Sequence, residues 1–236
     1  MESKANAPRI FAIADLHLSG SQEKPMDVFG EEWKHHDVKT AENWKAAIGD
    51  DDYVIIAGDI SWALKFEDAL PDLDWIHNLP GKKIITRGNH DLWWHGITKL
   101  NKLYDDVRFL QNDHIMVGDT AVCGSRGWLL PGADGYSGET DDRIVARELI
   151  RMRLSLDAAM KESPGGIIFA MHFPPAVAPK NRSVFTDLFE QYPVKQVVYG
   201  HLHGKSAFKK GVKGEQGGIL YRLVSIDYLD FCPVLI

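Results

Sequence analysis

Asp15-Leu16-His17, Gly58-Asp59, Gly88-Asn89-His90-Asp91, His172 and Gly200-His201-Leu202-His203 are the short words of this 236-residue chain that could do chemistry. Taken as candidate donors, Asp15, His17, Asp59, Asn89, His172, His201 and His203 supply two carboxylates, one carboxamide oxygen and four imidazoles. Such a set is borderline-soft. It suits Mn, Fe, Zn, Ni or Co better than Mg or Ca, which favour all-oxygen shells, and manganese is the first expectation. Two divalent ions would bring four positive charges and the two aspartates would return two, so the site would stay cationic. A cationic pair of ions about 3.5–4 Å apart can bind a phosphate, acidify a bridging water and stabilise both oxygens of an in-line displacement. Each word alone is more often structural than functional; their joint occurrence carries the signal.

Those residues need a scaffold that brings them together. Each follows a short apolar run rich in Ile and Val: Ile10–Ala14, Tyr53–Ala57, Lys83–Thr86, Gly166–Met171 and Gln196–Tyr199. Runs of that length and composition predict buried strands. Between them, Val145, Leu149, Met152, Leu156 and Met160 recur at helical spacing. Phe66–Leu79 predicts a helix interrupted at Pro71, and Ile97–Tyr104 and Phe185–Phe189 predict shorter ones. Alternating strands and helices imply an α/β fold with a largely parallel sheet, whose ligands bind outside the carboxyl ends of the strands. Val107–Leu110, Ile115–Val117 and Ala121–Cys123, separated by Asn-Asp and Gly-Asp, predict hairpins. Gly218–Ile236 also reads as strands, and a second sheet packed on the first is expected. No repeat or linker divides the chain, so residues 1–236 are read as one domain.

In this order, the five words resemble the motifs of the calcineurin-like metallophosphoesterases, over residues 10 to about 204, with none missing. Gly58-Asp59-Ile60-Ser61-Trp62 and Asn89-His90-Asp91-Leu92-Trp93-Trp94 resemble a bacterial branch of predicted phosphohydrolases. The resemblance implies a four-layer αββα sandwich with two mixed β-sheets and a dinuclear metal site at the strand ends. It implies that Asp15, His17, Asp59 and His203 hold one metal, and that Asp59, Asn89, His172 and His201 hold the other, with Asp59 bridging. It assigns His90 to the phosphate and the leaving group, with Asp91 orienting His90. The implied function is hydrolysis of phosphomonoesters or phosphodiesters by a metal-bridging hydroxide. The alternative is a catalytically inactive interaction module on the same fold, although such modules usually lose ligands or the motif histidine that this chain keeps.

Other residues are weaker candidates. Arg126, in a glycine-flanked loop, could clamp a substrate phosphate in bidentate fashion. Trp62, Trp93, Trp94 and Trp128 read as packing under the metal-bearing loops, with one or two of them, Trp94 first, as candidates to line the cleft and stack on substrate. The segment Trp33 to His36 is a candidate cover for the site; His35, His36, His77, His95 and His114 otherwise read as mostly surface residues. Cys123 and Cys232 read as buried free thiols. The net charge of −6 argues against a broad nucleic-acid face and leaves a small-molecule or phosphorylated substrate as the expected partner. No apolar run reaches the roughly 18 residues of a membrane span. The polar stretch Met1–Arg9 lacks a signal-peptide core, so a cytoplasmic location is expected. His-Glu-x-x-His and phosphate-loop motifs are absent. Substrate, native metal and oligomeric state are left open.

Overall fold

A computed structural model describes residues 8–236; most of the polar N-terminal stretch lies outside the described residues. In chain order the elements are β1 (Ile10–Ile13), two 3-10 turns (Met26–Phe29 and Glu31–Trp33), α1 (His36–Ala47), β2 (Tyr53–Ala57), α2 (Phe66–His77) and β3 (Lys82–Thr86). There follow α3 (Ile97–Leu100), β4 (Val107–Phe109), β5 (His114–Val117), β6 (Thr120–Ser125), α4 (Glu139–Met160) and β7 (Gly166–Met171). The chain ends with α5 (Val184–Phe189), β8 (Val194–Tyr199), α6 (Gly204–Ala207), β9 (Gly214–Gln216), β10 (Ile219–Leu223) and β11 (Val234–Leu235).

Two mixed sheets form, ordered β11-β1-β2-β3-β4 and β5-β6-β7-β8-β10-β9. The strands β1 to β4 run parallel, as do β6, β7, β8 and β10, while β11, β5 and β9 pair antiparallel at the margins. Alternation along each strand divides the apolar residues between two faces. Ala12, Ile55 and Ile84 of the first sheet meet Val122, Ile168 and Val198 of the second between the sheets. On the opposite faces, Ile13, Val54 and Ile56 pack with Trp44 and Leu73, and Phe169 and Val197 pack with Met152 and Phe185. The layers are therefore helix, sheet, sheet, helix, as expected. The five ligand-bearing strands do not share one sheet: β1, β2 and β3 lie in the first, β7 and β8 in the second.

Two local expectations fail for physical reasons. Helix α2 continues through Pro71 at its middle; the proline forfeits one helical hydrogen bond, and the face of Phe66, Ala69, Leu73 and Ile76 stays buried. Val107–Leu110 does not open a hairpin. It joins β3 in parallel, so Asn112-Asp113 carries the chain across to the second sheet, and of these three runs only the last two form a hairpin, β5–β6. Both cysteines are free, but Cys232 is exposed while Cys123 is buried. Among the described residues, no helix is long and apolar enough to cross a membrane.

Candidate metal centre

All seven candidate ligands sit at the carboxyl ends of β1, β2, β3, β7 and β8, and the chain turns sharply to put them there. Asp15, His17, Asp59 and His201 have left-handed backbones, with φ of 62°, 45°, 52° and 72°. Asp and His adopt that region more readily than most residues, yet each instance costs of the order of 1–3 kcal/mol and clusters at functional sites. Two glycines permit the close packing. A Cβ on Gly88 would fall inside contact distance of Asp59, and one on Gly200 would lie 2.5 Å from Asp15 Oδ2.

The donors face one another. His17 Nε2 lies 3.3 Å from His203 Nε2, and His201 Nδ1 lies 3.3 Å from His172 Nε2. Asn89 Oδ1 is 2.7 Å from His172 Nε2 and 3.0 Å from His201 Nδ1. Asp59 Oδ2 is 3.4 Å from His172 Nε2 and 3.8 Å from His17 Nε2. Two groups have ligand atoms all within 4.8 Å of one another: Asp15, His17 and His203, and Asp15, Asp59 and His172. Neutral imidazole nitrogens at these separations present lone pairs to each other unless a proton or a cation intervenes. The donor set therefore fits cations. Asp15 spans both groups, in addition to the bridging expected of Asp59.

Supporting contacts aim the rings. His203 Nδ1 is 3.0 Å from Asp227 Oδ1, whose other oxygen accepts the Gly204 amide, and His172 Nδ1 donates to the Ala57 carbonyl at 3.1 Å. Such partners fix the tautomer of a metal-ligating histidine. Charges respond to burial and to each other. Burial opposes a charged His172, but Asp59 and Asp15 outweigh it and push its pKa up to about 9. Burial opposes ionisation of Asp59, but His172 and His17 hold it well below the carboxylate range. Burial, with His172 beside it, drives His201 down to about 3. Burial likewise lowers His17 and His90, with Asp59 opposing. His203 is raised: burial opposes, and Asp227 and Asp15 prevail.

His90 lies at the mouth, its side chain 44% exposed, with Nε2 4.0 Å from Asp59 Oδ2. Its backbone amide donates to Asp59 Oδ1 at 2.8 Å. The expectation that Asp91 orients His90 needs correction. The buried Asp91 carboxylate accepts from the amides of Gly88, Ile60, Asp59 and Ser61 at 2.7–3.3 Å and from Trp93 Nε1 at 3.1 Å. Those five donors tie the loop after β2 to the loop after β3, so Asp91 braces the site. Burial first, then Asp59, pushes its pKa up to about 6.

A cleft of about 190 Å³ opens onto His17, Asp59, His90, His201 and His203, walled by Met26, Phe29, Trp33 and Trp62. Trp62 stacks on His17 with centroids 4.7 Å apart and planes 17° apart. Trp94 instead donates to Gln111 and packs on Phe109; the indoles at the cleft are those of Trp33 and Trp62. Trp33 walls the cleft from the segment that was a candidate cover, whereas His35 and His36 do not line it. His35 is exposed, but His36 is buried and hydrogen-bonds the Leu16 carbonyl at 3.0 Å, inside the Asp15–His17 loop. Arg126 lies outside the cleft, over the Trp128 ring at 4.4 Å. Its carbonyl accepts the amides of His172 and Phe173. Asp227, missed in the sequence, lies four residues past the apolar run Ile219–Leu223, at the same edge as the candidate ligands.

Solved structures share this architecture. A protein of unknown function, AQ665 from Aquifex aeolicus, superposes with a TM-score of 0.52 at 17% identity, covering 97% of this chain and 95% of that one. Phosphopantetheinyl hydrolase (PptH) from Mycobacterium tuberculosis gives 0.51 at 18% identity over 93% and 89%. The calcineurin-like phosphoesterase YfkN from Bacillus subtilis gives 0.53 at 13% identity over 92% and 80%. At those identities the likeness is one of fold. Gene 66 proteins of Mycobacterium phages L5 and D29 are 33% identical over 78 residues and 32% identical over 102 residues. These matches span 33% and 42% of this chain, and 37% and 49% of those relatives' own length. Residues 8–205 match the family description calcineurin-like phosphoesterase, and the chain belongs to that family.

Proposed function

We propose that the protein hydrolyses phosphate esters with two divalent transition-metal ions, manganese first among Mn, Fe, Zn, Ni and Co. One ion would be held by Asp15, His17, Asp59 and His203, the other by Asp59, Asn89, His172 and His201. The observation that carries this reading is the pairing of imidazole nitrogens at 3.3 Å on both sides of Asp59, an arrangement that a cation relieves. Bound there, the ions would supply Lewis-acid polarisation of a phosphoryl oxygen and a water acidified towards neutral pH.

The chain's own residues do the rest. Asp227 and the Ala57 carbonyl hold His203 and His172 in one tautomer each, and Asp91 clamps the loops that carry Asp59 and Asn89. His90, free at the mouth, can hold a proton at Nε2 for the departing oxygen. Met26, Phe29, Trp33 and Trp62 exclude water on that side and favour a leaving group with an apolar or ring-shaped body. A small monoester or diester is therefore the proposed substrate class. The phosphopantetheinyl hydrolase neighbour, at 18% identity, supports the fold more than a substrate.

Turnover of p-nitrophenyl phosphate and its bis ester tests the reading. Manganese-loaded protein should cleave at least one, and chelation should abolish it. His90→Asn should lower kcat by about 10²-fold or more while metal content stays near two per chain. Unchanged turnover would remove His90 from the reaction. Fully loaded protein that cleaves neither ester would favour the inactive interaction module.

A further inference from the structure

The chain is acidic, at −6, yet one cavity at its surface is strongly basic. This cavity, about 210 Å³, is lined by Arg87, Arg126, Arg147 and Arg151, with Glu148 as its one carboxylate. Glu148 is fully buried and already satisfied by Ser125 Oγ at 2.6 Å, the Gly127 amide at 3.2 Å and Arg151 at 2.6 Å. One guanidinium neutralises it. Among the described residues, Arg87, Arg126 and Arg147 have no carboxylate within ion-pair distance: Arg87 donates to the Asp91 carbonyl, and Arg126 lies over Trp128. Four guanidiniums against one carboxylate leave a local charge of +3.

The cavity sits beside the metal-binding residues. Its walls come from the carboxyl ends of β3, β4 and β6 and from α4, the same edge of the two sheets that carries the candidate ligands. Arg87 is two residues before Asn89, and the Arg126 carbonyl accepts the His172 amide at 3.0 Å. Burial pulls the Arg126 guanidinium below its ordinary pKa, Glu148 opposes this, and Arg87, Arg151 and Arg147 add to the depression. Like charges gathered in a concave site focus the field on an incoming anion, and planar guanidiniums match phosphate oxygens in bidentate fashion. The volume is below the roughly 300–1,000 Å³ of whole-ligand pockets, so it suits one end group.

We propose that this arginine cavity is a second anion subsite, which takes a phosphate-class group of the substrate while the scissile phosphate lies at the metal centre. The term substrate here rests on the phosphoesterase reading; the anion site itself does not. Among phosphate esters, those with a second phosphate would then be favoured.

Alkane bisphosphonates of increasing length, compared with their monophosphonates, test this by calorimetric titration into manganese-loaded protein. Their carbon–phosphorus bonds resist hydrolysis. At least one length should bind about tenfold or more tightly than its monophosphonate, and Arg147→Gln/Arg151→Gln should erase that preference. Arg151 partners the buried Glu148, so Arg147→Gln alone, on an exposed face of α4 with no ion pair to lose, decides the matter if the double variant fails to fold. Equal binding at every length, or a preference that survives Arg147→Gln and the double change, overturns the proposal. Turnover of p-nitrophenyl phosphate is read separately. Its absence with the preference intact strikes only the hydrolase reading; its presence with no preference strikes only the subsite.

Discussion

The two edges of the sheets handle charge in opposite ways. At the amino edge two conventional ion pairs hold the strand starts. Arg9, just before β1, binds Asp52, just before β2, with Nε 3.0 Å from Oδ1. Lys83 on β3 is buried; it reaches Asp106 at 2.6 Å and caps α2 through the carbonyls of His77 and Leu79. At the carboxyl edge, imidazole nitrogens confront one another, four of the seven ligand-type residues have left-handed backbones, and the buried His17 Nδ1 has no partner among the described residues. One edge is content with the chain alone. The other is held in a conformation that costs free energy, and its donor atoms gather in two groups, each within 4.8 Å. Such strain clusters at functional sites, and four of the ten non-glycine residues that carry it among the described residues are ones the donor chemistry selects.

Breaking each edge should therefore give a different loss. Asp59→Asn keeps an oxygen to accept the His90 amide but removes the central charge between both groups of donors. Turnover should fall by about 10³-fold or more, as steady-state kinetics on manganese-loaded protein would show. Lys83→Met should do the reverse. It strands two helix-end carbonyls and leaves Asp106 with His77 alone, at a cost of roughly 2–3 kcal/mol, below the figure for a fully buried pair because Asp106 is partly exposed. Activity per folded molecule should be unchanged, as denaturant titration with kinetics on the same sample would reveal. The smallest effect sharpens the comparison. Without a cation, His172 has a pKa of about 9, so near pH 7.5 it carries a proton that a metal must expel. Metal binding should release about one proton per chain from this residue and weaken as pH falls. Calorimetry in buffers of different ionisation heat measures the number, and zero release would contradict the assignment.

Much of this was legible in the sequence because strand, turn and ligand are contiguous there. An Ile- and Val-rich run states that a strand is buried, and the polar residue after it must then emerge at the strand's end. That logic places Asp15, Asp59, His172 and His201 on one edge without coordinates. It fails where the decisive contacts are distant in the chain. Asp91 is adjacent to His90 in sequence, yet its carboxylate turns to amides some 30 residues away. Trp62 and Trp94 are equivalent as letters, and only packing puts the first over His17 and the second on Phe109. The arginine cavity collects Arg87, Arg126 and one face of α4, which no spacing rule connects. Pro71 shows the converse error: a local rule for ending helices was overridden by the buried face on which α2 rests.

Anomalous diffraction from manganese-loaded crystals tests the central claim most directly. Two peaks should appear on either side of Asp59, one contacted by His17 and His203 and the other by Asn89, His172 and His201. Fully loaded crystals with no peak there, or with manganese bound only elsewhere, would contradict it.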